Sequence, residues 1–257
     1  MTPPMIDLTD PDAVKREVLD TDAAVRAEFA AHLDGELTQL TEALATCFRL
    51  LPALNAAANQ AGEKRPVLVA AFAFGVLDDL VVSTKLLFAG KLPAAGNLMR
   101  QVVEGIAMSI LRSTNELLII KRGKDGNPPV MARYWQKVDE GDKRTQGYLA
   151  VDQLGLNASA LGVNADAAKR LVVAKQHYNA FSHCGTFTIA NRLSLDEVGT
   201  AYVGGHFDRA KLDGYRNEMN ERIGLCRVLP PFMERLLATM PMRAAISAAL
   251  AQSAEQA

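Results

Sequence analysis

Apolar residues recur every three or four positions along most of the chain, which is the spacing of α-helices that bury one face. Residues 22–61 form one such pattern with a break near Leu51 and Pro52, and residues 67–89 and 94–113 form two more. Only the sequence GKLP separates the last two patterns. Because so short a connection forces neighbouring helices to run antiparallel, we predict that these two helices form the centre of a bundle.

The second half of the chain continues the helical pattern with one exception. Three further helices are predicted at about residues 130–144, 164–185 and 208–228. Pro230 and Pro231 should end the last of these, because proline lacks the backbone N–H that a helix needs. A final amphipathic helix is predicted after them. Residues 186–205 are instead rich in β-branched residues and bounded by glycines, which favours a small β-hairpin or an extended loop.

Together these patterns predict an all-α protein, an antiparallel bundle of about seven to nine helices. Frequent alanine and an aromatic content of only 6% agree with this fold class. The chain has no internal repeat and no low-complexity linker, so we predict a single helical domain over residues 1–257. Within it, residues 1–20 are expected to be a loose N-terminal segment and residues 241–257 a helical C-terminal tail.

Charge and cysteine usage narrow the environment of the protein. A formal net charge of −1 lacks the basic excess with which duplex-coating proteins neutralise phosphates. The three cysteines, Cys47, Cys184 and Cys226, include no CxxC pair, so we expect neither a disulfide framework nor a cysteine-rich zinc site. The acidic N-terminus has no signal-peptide pattern. The strongly apolar uncharged run of residues 66–77 is shorter than the roughly twenty residues of a membrane span. We therefore expect a cytoplasmic protein that is not in a membrane.

The helix predicted after Asn164 carries basic and aromatic residues in the segment KRLVVAKQHYNAFSHCGT. Arg170 and His177 are seven positions apart, so they lie within about 20° of each other, two turns apart along the helix axis. Both fall inside the apolar arc, between Phe181 and Cys184. We therefore expect both side chains to point into the bundle and to line a water-filled recess together.

Such a pair has a chemical use. A permanent cation nearby favours the neutral imidazole, so His177 could accept a proton from a nucleophile while Arg170 holds an anionic group. That arrangement suits phosphodiester cleavage by a ribose hydroxyl. The alternative is that Arg170 extends to the surface and that His177 is an ordinary core histidine bonded to a neighbouring carboxylate.

A second polar pair lies on the predicted central helix. Arg100 and Glu104 are four positions apart, so they share one face of an otherwise apolar helix. Glu104 is either a partner for Arg170 or His177 from the adjacent helix, or the intrahelical partner of Arg100.

Two acidic residues follow the apolar run of the preceding helix. Asp78 is aligned with Lys85, which predicts an internal ion pair. Asp78 and Asp79 could instead join Glu104 and His177 in a divalent metal site, as in a metal-dependent hydrolase. No ExxH or HExxH element accompanies them, so we expect no metal and no cofactor.

Two resemblances follow from these segments. The helix with Arg100 and Glu104, followed by YNAFSHCG, resembles a group of uncharacterised bacterial all-α proteins over roughly residues 70–208. This resemblance implies no particular reaction. The candidate supporting residues of the site are Arg100, Glu104, Tyr178, Ser182, His183 and Asp78.

The spacing of Arg170 and His177 resembles the R-x4-6-H motif of the HEPN superfamily of helical bundles. The resemblance implies a metal-independent endoribonuclease of a toxin or phage-defence type, a homodimer whose two subunits share one cleft, with RNA as the substrate. This sequence has Leu171 directly after the arginine, where a polar residue is usual in the family. The alternative is a non-enzymatic helical module that binds a partner protein or a small ligand.

Overall fold

The structure, a computed structural model, describes residues 9–195 and 199–240. Ten α-helices lie in these ranges: α1 Pro11–Leu19, α2 Ala23–Phe48, α3 Leu51–Ala61, α4 Lys64–Phe88, α5 Leu92–Arg112, α6 Tyr134–Asp139, α7 Gly147–Asn157, α8 Ala165–Ser182, α9 Thr186–Ala190 and α10 Leu212–Ala238. Two strands, β1 Leu117–Lys121 and β2 Val130–Arg133, form one antiparallel hairpin. The predicted all-α class is confirmed. The predicted C-terminal helical tail lies outside the described residues.

The α4–α5 hairpin forms the centre of the bundle, as predicted. The turn between the two helices contains Gly90, whose φ of +69° is a conformation that glycine adopts without strain. Close packing at two other glycines brings neighbours together. A Cβ atom on Gly105 would lie 2.9 Å from Cγ2 of Val76, and one on Gly96 would overlap the ring of Phe181 on α8. Small residues on α5 therefore let α4 and α8 approach its backbone closely.

Helices α2, α3 and α10 cover the other side of α4. The predicted break is confirmed, because α2 ends at Phe48 and α3 begins at Leu51. The predicted end of the last helix near Val228 is wrong, since α10 continues through Pro230 and Pro231 to Ala238. Buried side chains before and after the two prolines, Leu229 and Met233, anchor this stretch in the core. Tertiary packing here outweighs the local cost of proline.

The hairpin of β1 and β2 was not predicted at this place. Leu118 and Ile120 of β1 are buried, and Asn157 of α7 holds the strand through two hydrogen bonds. Ile119 N donates to Asn157 Oδ1 at 2.8 Å, and Asn157 Nδ2 donates to Ile119 O at 3.0 Å. The helix predicted from residue 130 therefore begins only at Tyr134.

Residues 186–205, which are rich in β-branched residues, begin with a helix that their composition did not predict. The helix α9 occupies Thr186–Ala190, and the loop after it has one isolated antiparallel bridge, between Leu193 and Ala201. The side chain of Lys211 holds this loop, because its Nζ donates to the carbonyl oxygens of Ala190 and Leu193. The extended loop is thus tied to the start of α10.

By length and composition, α4 is the one helix of the described ranges that could cross a membrane. Of its most apolar window, 39% is buried inside the bundle. Core helices of soluble proteins meet the same criterion, so this is weak evidence for a span.

The segment VGGHFD packs directly on the α4–α5 turn. The backbones of Gly205 and Ala89 approach so closely that a Cβ atom on Gly205 would overlap the carbonyl oxygen of Ala89. Next to this contact, Lys91 Nζ and Asp22 Oδ2 form an ion pair at 2.8 Å. The segment therefore joins the turn to the start of α2.

We predict that Gly205→Ala lowers the free energy of unfolding by about 2 kcal/mol or more, because the new methyl group meets backbone atoms that have no room to move. The matched control is Gly214→Ala in α10, where a Cβ atom meets nothing within 4 Å. There the higher helix propensity of alanine should stabilise the protein by up to about 1 kcal/mol. Urea unfolding of the three proteins measures both effects, and equal stabilities would contradict the prediction.

His206 in the same segment is buried and stacks on Tyr202, with ring centroids 4.0 Å apart. Burial and then the charge of Lys211 lower the pKa of His206 from 6.5 to about 4, although Asp208 acts in the opposite direction. Between these two values the unfolded chain binds a proton that the folded chain excludes. Stability contributed by this group is therefore present at neutral pH and is lost as the pH falls from 6.5 to 4.

We predict that His206→Phe, which keeps a ring for stacking on Tyr202, makes the protein less sensitive to acid. On going from pH 7 to pH 4, the wild type should lose about 3 kcal/mol more stability than the variant. Urea unfolding at both pH values measures the difference. The same loss in both proteins would show that His206 does not control the acid response.

Candidate functional site

The structure brings Arg170 and His177 to the outer surface of α8. Arg170 is exposed and forms no hydrogen bond or ion pair with any described residue. The side chain of His177 is 49% exposed. The expectation that both side chains point into the bundle and line a recess is therefore wrong for the single chain. They do share one side of the helix, about 10 Å apart along its axis.

The expectation failed because the apolar arc of α8 is wider than the face that its neighbours cover. The buried residues Ala168, Tyr178 and Phe181 face α5 and α7. Val173 marks the other edge of the arc but is 64% exposed, and Cys184, predicted to lie on the same side, follows the end of α8 and is exposed as well. Arg170 and His177 lie at the boundary between the covered and the uncovered parts.

His177 is held by a carboxylate from another helix. Its Nε2 atom donates a hydrogen bond to Oε1 of Glu218 on α10, over 2.9 Å. The Glu218 side chain is only 7% exposed, whereas the imidazole is half exposed. The buried carboxylate therefore orients the imidazole through Nε2. Nδ1, the other ring nitrogen, takes no part in this hydrogen bond.

The same carboxylate is anchored from the interior of the bundle. Arg222, whose exposure is 0%, donates through Nη1 to Oε2 of Glu218 at 2.9 Å. Its Nη2 donates to Oγ of Ser83 at 2.8 Å, and that hydroxyl donates in turn to the carbonyl oxygen of Ala95 at 2.7 Å. A continuous polar chain therefore runs from the surface of α8 through α10 to α4 and α5.

Tyr178 borders this chain without joining it by a hydrogen bond. Its ring makes an edge contact with His177, with centroids 4.8 Å apart, and also contacts Phe181. The buried hydroxyl has no hydrogen-bond partner among the described residues. Burial above all, and then the negative charge of Glu218, raise the pKa of Tyr178 above its usual range. Tyr178 is therefore uncharged at neutral pH and packs against the ring of His177.

Ser182 and His183 lie at the end of α8 and make only local contacts. The Ser182 hydroxyl donates to the carbonyl oxygen of Tyr178, one turn earlier in the same helix. His183 is the exposed C-cap residue, and its carbonyl oxygen accepts from the Thr188 hydroxyl. Neither side chain contacts His177 in the described structure.

Arg100 and Glu104 pair with each other along α5. Arg100 Nε donates to Glu104 Oε1 at 2.9 Å, and both side chains are less than one-fifth exposed. The other carboxylate oxygen lies near the first turn of α7, 3.2 Å from the position of a Cβ atom on Gly147. The alternative that made Glu104 a partner of Arg170 or His177 is therefore wrong.

The acidic pair of α4 is not part of the site. Asp78 and Lys85 are both exposed and form no ion pair within the described ranges, so the predicted internal pair is wrong. Burial and the charge of Asp78 raise the pKa of Asp79. No group of three histidine, cysteine or acidic side chains in the described ranges could hold a metal ion. Asp78, Asp79, Glu104 and His177 are thus not brought together.

Glu218 and Arg222 are the site residues that sequence reasoning missed. A signal was available, because Arg222 stands in an apolar stripe of α10 with spacings of three and four residues. That stripe consists of Tyr215, Met219, Arg222, Cys226 and Leu229. An arginine in the middle of such a stripe needs an acid, and Glu218 lies one turn before it.

Comparisons with known proteins found no relative: no protein-family model, no curated protein and no solved structure matches this chain.

We predict that Arg222→Met lowers the free energy of unfolding by about 3–5 kcal/mol, because it leaves the buried Glu218 carboxylate without its cation. The double variant Glu218→Gln with Arg222→Met removes both charges and should lose less than the single variant. Arg227→Met is the matched control, since Arg227 is exposed one turn later and should cost less than about 1 kcal/mol. Equal losses at Arg222 and Arg227, measured by urea unfolding, would contradict the role of the buried pair.

Proposed function

We propose that this protein is a HEPN-like, metal-independent endoribonuclease of a toxin or phage-defence type, in which His177 is the general base. The hydrogen bond from His177 to the buried Glu218 carries the proposal, because a general base needs a group that orients it. The half-exposed imidazole can be reached from solvent.

The hydrogen bond selects the tautomer of the base. When Nε2–H donates to the Glu218 carboxylate, the lone pair of the neutral imidazole is on Nδ1. Nδ1 would accept the proton of a ribose 2′-hydroxyl as that oxygen attacks the neighbouring phosphorus. The bond from phosphorus to the 5′-oxygen would break, that oxygen would take a proton from water, and the products would be a 2′,3′-cyclic phosphate and a 5′-hydroxyl. Glu218 would stabilise the imidazolium that forms, and Arg222 keeps the carboxylate in position.

Arg170 would bind the phosphate whose charge grows during the attack. Within one chain it is two helical turns from His177, about 10 Å along the axis, which is too far for both to act on one phosphate. In a homodimer with facing α8 helices, the arginine of one subunit would lie beside the histidine of the other. Exposure of both residues in the single chain is what such a shared cleft needs.

We predict that the purified protein cleaves a fluorescently labelled single-stranded RNA in the presence of EDTA. His177→Ala should lower the rate by about 10²- to 10⁴-fold, as loss of a general base does. Arg170→Ala should also lower the cleavage rate. Glu218→Gln should lower it as well, and circular dichroism should show that this variant is still folded. Gel electrophoresis of the products measures the rates.

His183→Ala is the matched control, because His183 is an exposed histidine at the end of the same helix. It should cleave RNA at the wild-type rate. An equal loss in the His177 and His183 variants, or no cleavage by the folded wild type, would contradict the proposal.

The second candidate function is a non-enzymatic helical module that binds a partner protein. The observation that favours it is the open surface of α8, where Arg170 and His177 flank the exposed Val173 instead of a recess. Protein contact surfaces have an apolar centre and a polar rim, and these three residues follow that order on a small scale. A folded wild type that leaves RNA intact would favour this module over the enzyme.

A further inference from the structure

Arg112, at the end of α5, has an unusual environment. The residue is 2% exposed, and its guanidinium carbon lies 4.0 Å above the ring centroid of Phe72 on α4. Its Nε and Nη1 atoms are buried without a hydrogen-bond partner. No carboxylate of the described ranges lies within ion-pair distance of it.

A buried cation without an acceptor is strongly unfavourable, so proteins normally pair such groups. Arg222 in the same bundle has a carboxylate and a hydroxyl. Arg112 contacts the π face of Phe72, which attracts a cation but accepts none of its N–H groups, and Tyr134 and Asp139 act on its charge without a hydrogen bond to it. Burial lowers the pKa of Arg112 to about 10, so the side chain is still charged at neutral pH.

A second buried arginine lies beside it. Arg65 at the start of α4 is 6% exposed and donates through Nη1 to the carbonyl oxygen of Ser113, the residue that follows Arg112, at 2.6 Å. Its Nη2 donates to the carbonyl oxygen of Thr239 at 3.2 Å, and its Nε has no partner. Carbonyl oxygens satisfy part of Arg65, but they do not neutralise its charge. Two buried arginines therefore lie at this end of the bundle, around the C-terminus of α5.

A groove of about 520 Å³ opens next to this end, between α3, α4 and the end of α6. Leu68 lines the groove, whereas Arg112 and Phe72, which lies one helical turn further along α4, do not. Asp139 also lines it, and the negative charge of Asp139 acts on Arg112. That carboxylate is engaged by Lys64 at 3.1 Å, so it does not neutralise the arginine. Glu63 is the other acid of the groove and acts on Arg65.

We propose that Arg112 is the anchor of a binding site for a small oxyanion, a phosphate or a carboxylate group, at this end of the bundle. The planar guanidinium can donate two parallel hydrogen bonds to such a group, and Phe72 supports its face. Because Arg112 is enclosed, the site takes one small anionic group and not the backbone of a nucleic acid. The site does not involve His177 and does not depend on the proposed ribonuclease activity.

Thermal unfolding in different anions tests the proposal. Sodium phosphate, sulfate and acetate are compared with chloride at equal ionic strength, for the wild type, Arg112→Met and Arg122→Met. Arg122 is an exposed arginine of the β1–β2 loop and is the matched control. At a tenfold excess over Kd, phosphate or acetate should raise the Tm of the wild type and of Arg122→Met by about 4 °C. The Tm of Arg112→Met should not rise.

The anions that act identify the ligand class. A rise with phosphate and sulfate indicates a tetrahedral oxyanion, and a rise with acetate indicates a carboxylate. A wild-type Tm that is the same in all four salts overturns the proposal. An equal rise in Arg112→Met overturns it as well, because it would show a general salt effect.

A second variant keeps the test decisive if Arg112→Met does not fold. Arg112→Lys keeps the positive charge but loses the paired donors, so isothermal titration with the active anion should show at least about tenfold weaker binding. Affinity equal to that of the wild type would contradict a site anchored on the guanidinium.

Discussion

The guanidinium of Arg222 has no contact with solvent, and the arrangement of four helices depends on how its charge is satisfied. Glu218 supplies the carboxylate from α10 itself, and Ser83 supplies a hydroxyl from α4 that also binds the backbone of α5. Because Glu218 and Arg222 are both on α10, the hydrogen bond from the buried Arg222 to Ser83 is the polar contact that fixes the depth and rotation of α10 against α4. The position of His177 on α8 follows from this, since its partner is the carboxylate that Arg222 holds.

Three arginines of the described ranges are buried, and each has a different kind of partner for its positive charge. Arg222 has an acid, Arg65 has two backbone carbonyl oxygens, and Arg112 has an aromatic ring. The degree of satisfaction falls in that order. A buried guanidinium whose N–H groups have no acceptor is suited to binding an oxyanion, because the oxygens of an oxyanion supply the missing acceptors. Arg222 and Arg112 therefore differ in that the chain supplies a carboxylate to Arg222, whose Nε alone is left without a partner, and supplies none to Arg112.

The polar chain also explains why His177 and not His183 is the residue of interest. Both histidines are exposed near the end of α8, and both belong to sequence patterns that suggest chemistry. Only His177 reaches a carboxylate from another helix, and an oriented imidazole differs in its chemistry from one that turns freely in solvent. Exposure and orientation together, rather than burial, are what make it a candidate base.

The sequence by itself determined the all-α class, the central α4–α5 hairpin, the break between α2 and α3 and the start of α8 after Asn164, because each depends on local periodicity, caps and short connections. Only the tertiary structure decided the β1–β2 hairpin, the continuation of α10 through Pro230 and Pro231, and the partner of His177. Each of these depends on contacts between residues far apart in the chain, such as the 41 positions between His177 and Glu218. A helical projection shows which residues share a side of α8, but the neighbouring helices decide how much of that side is covered.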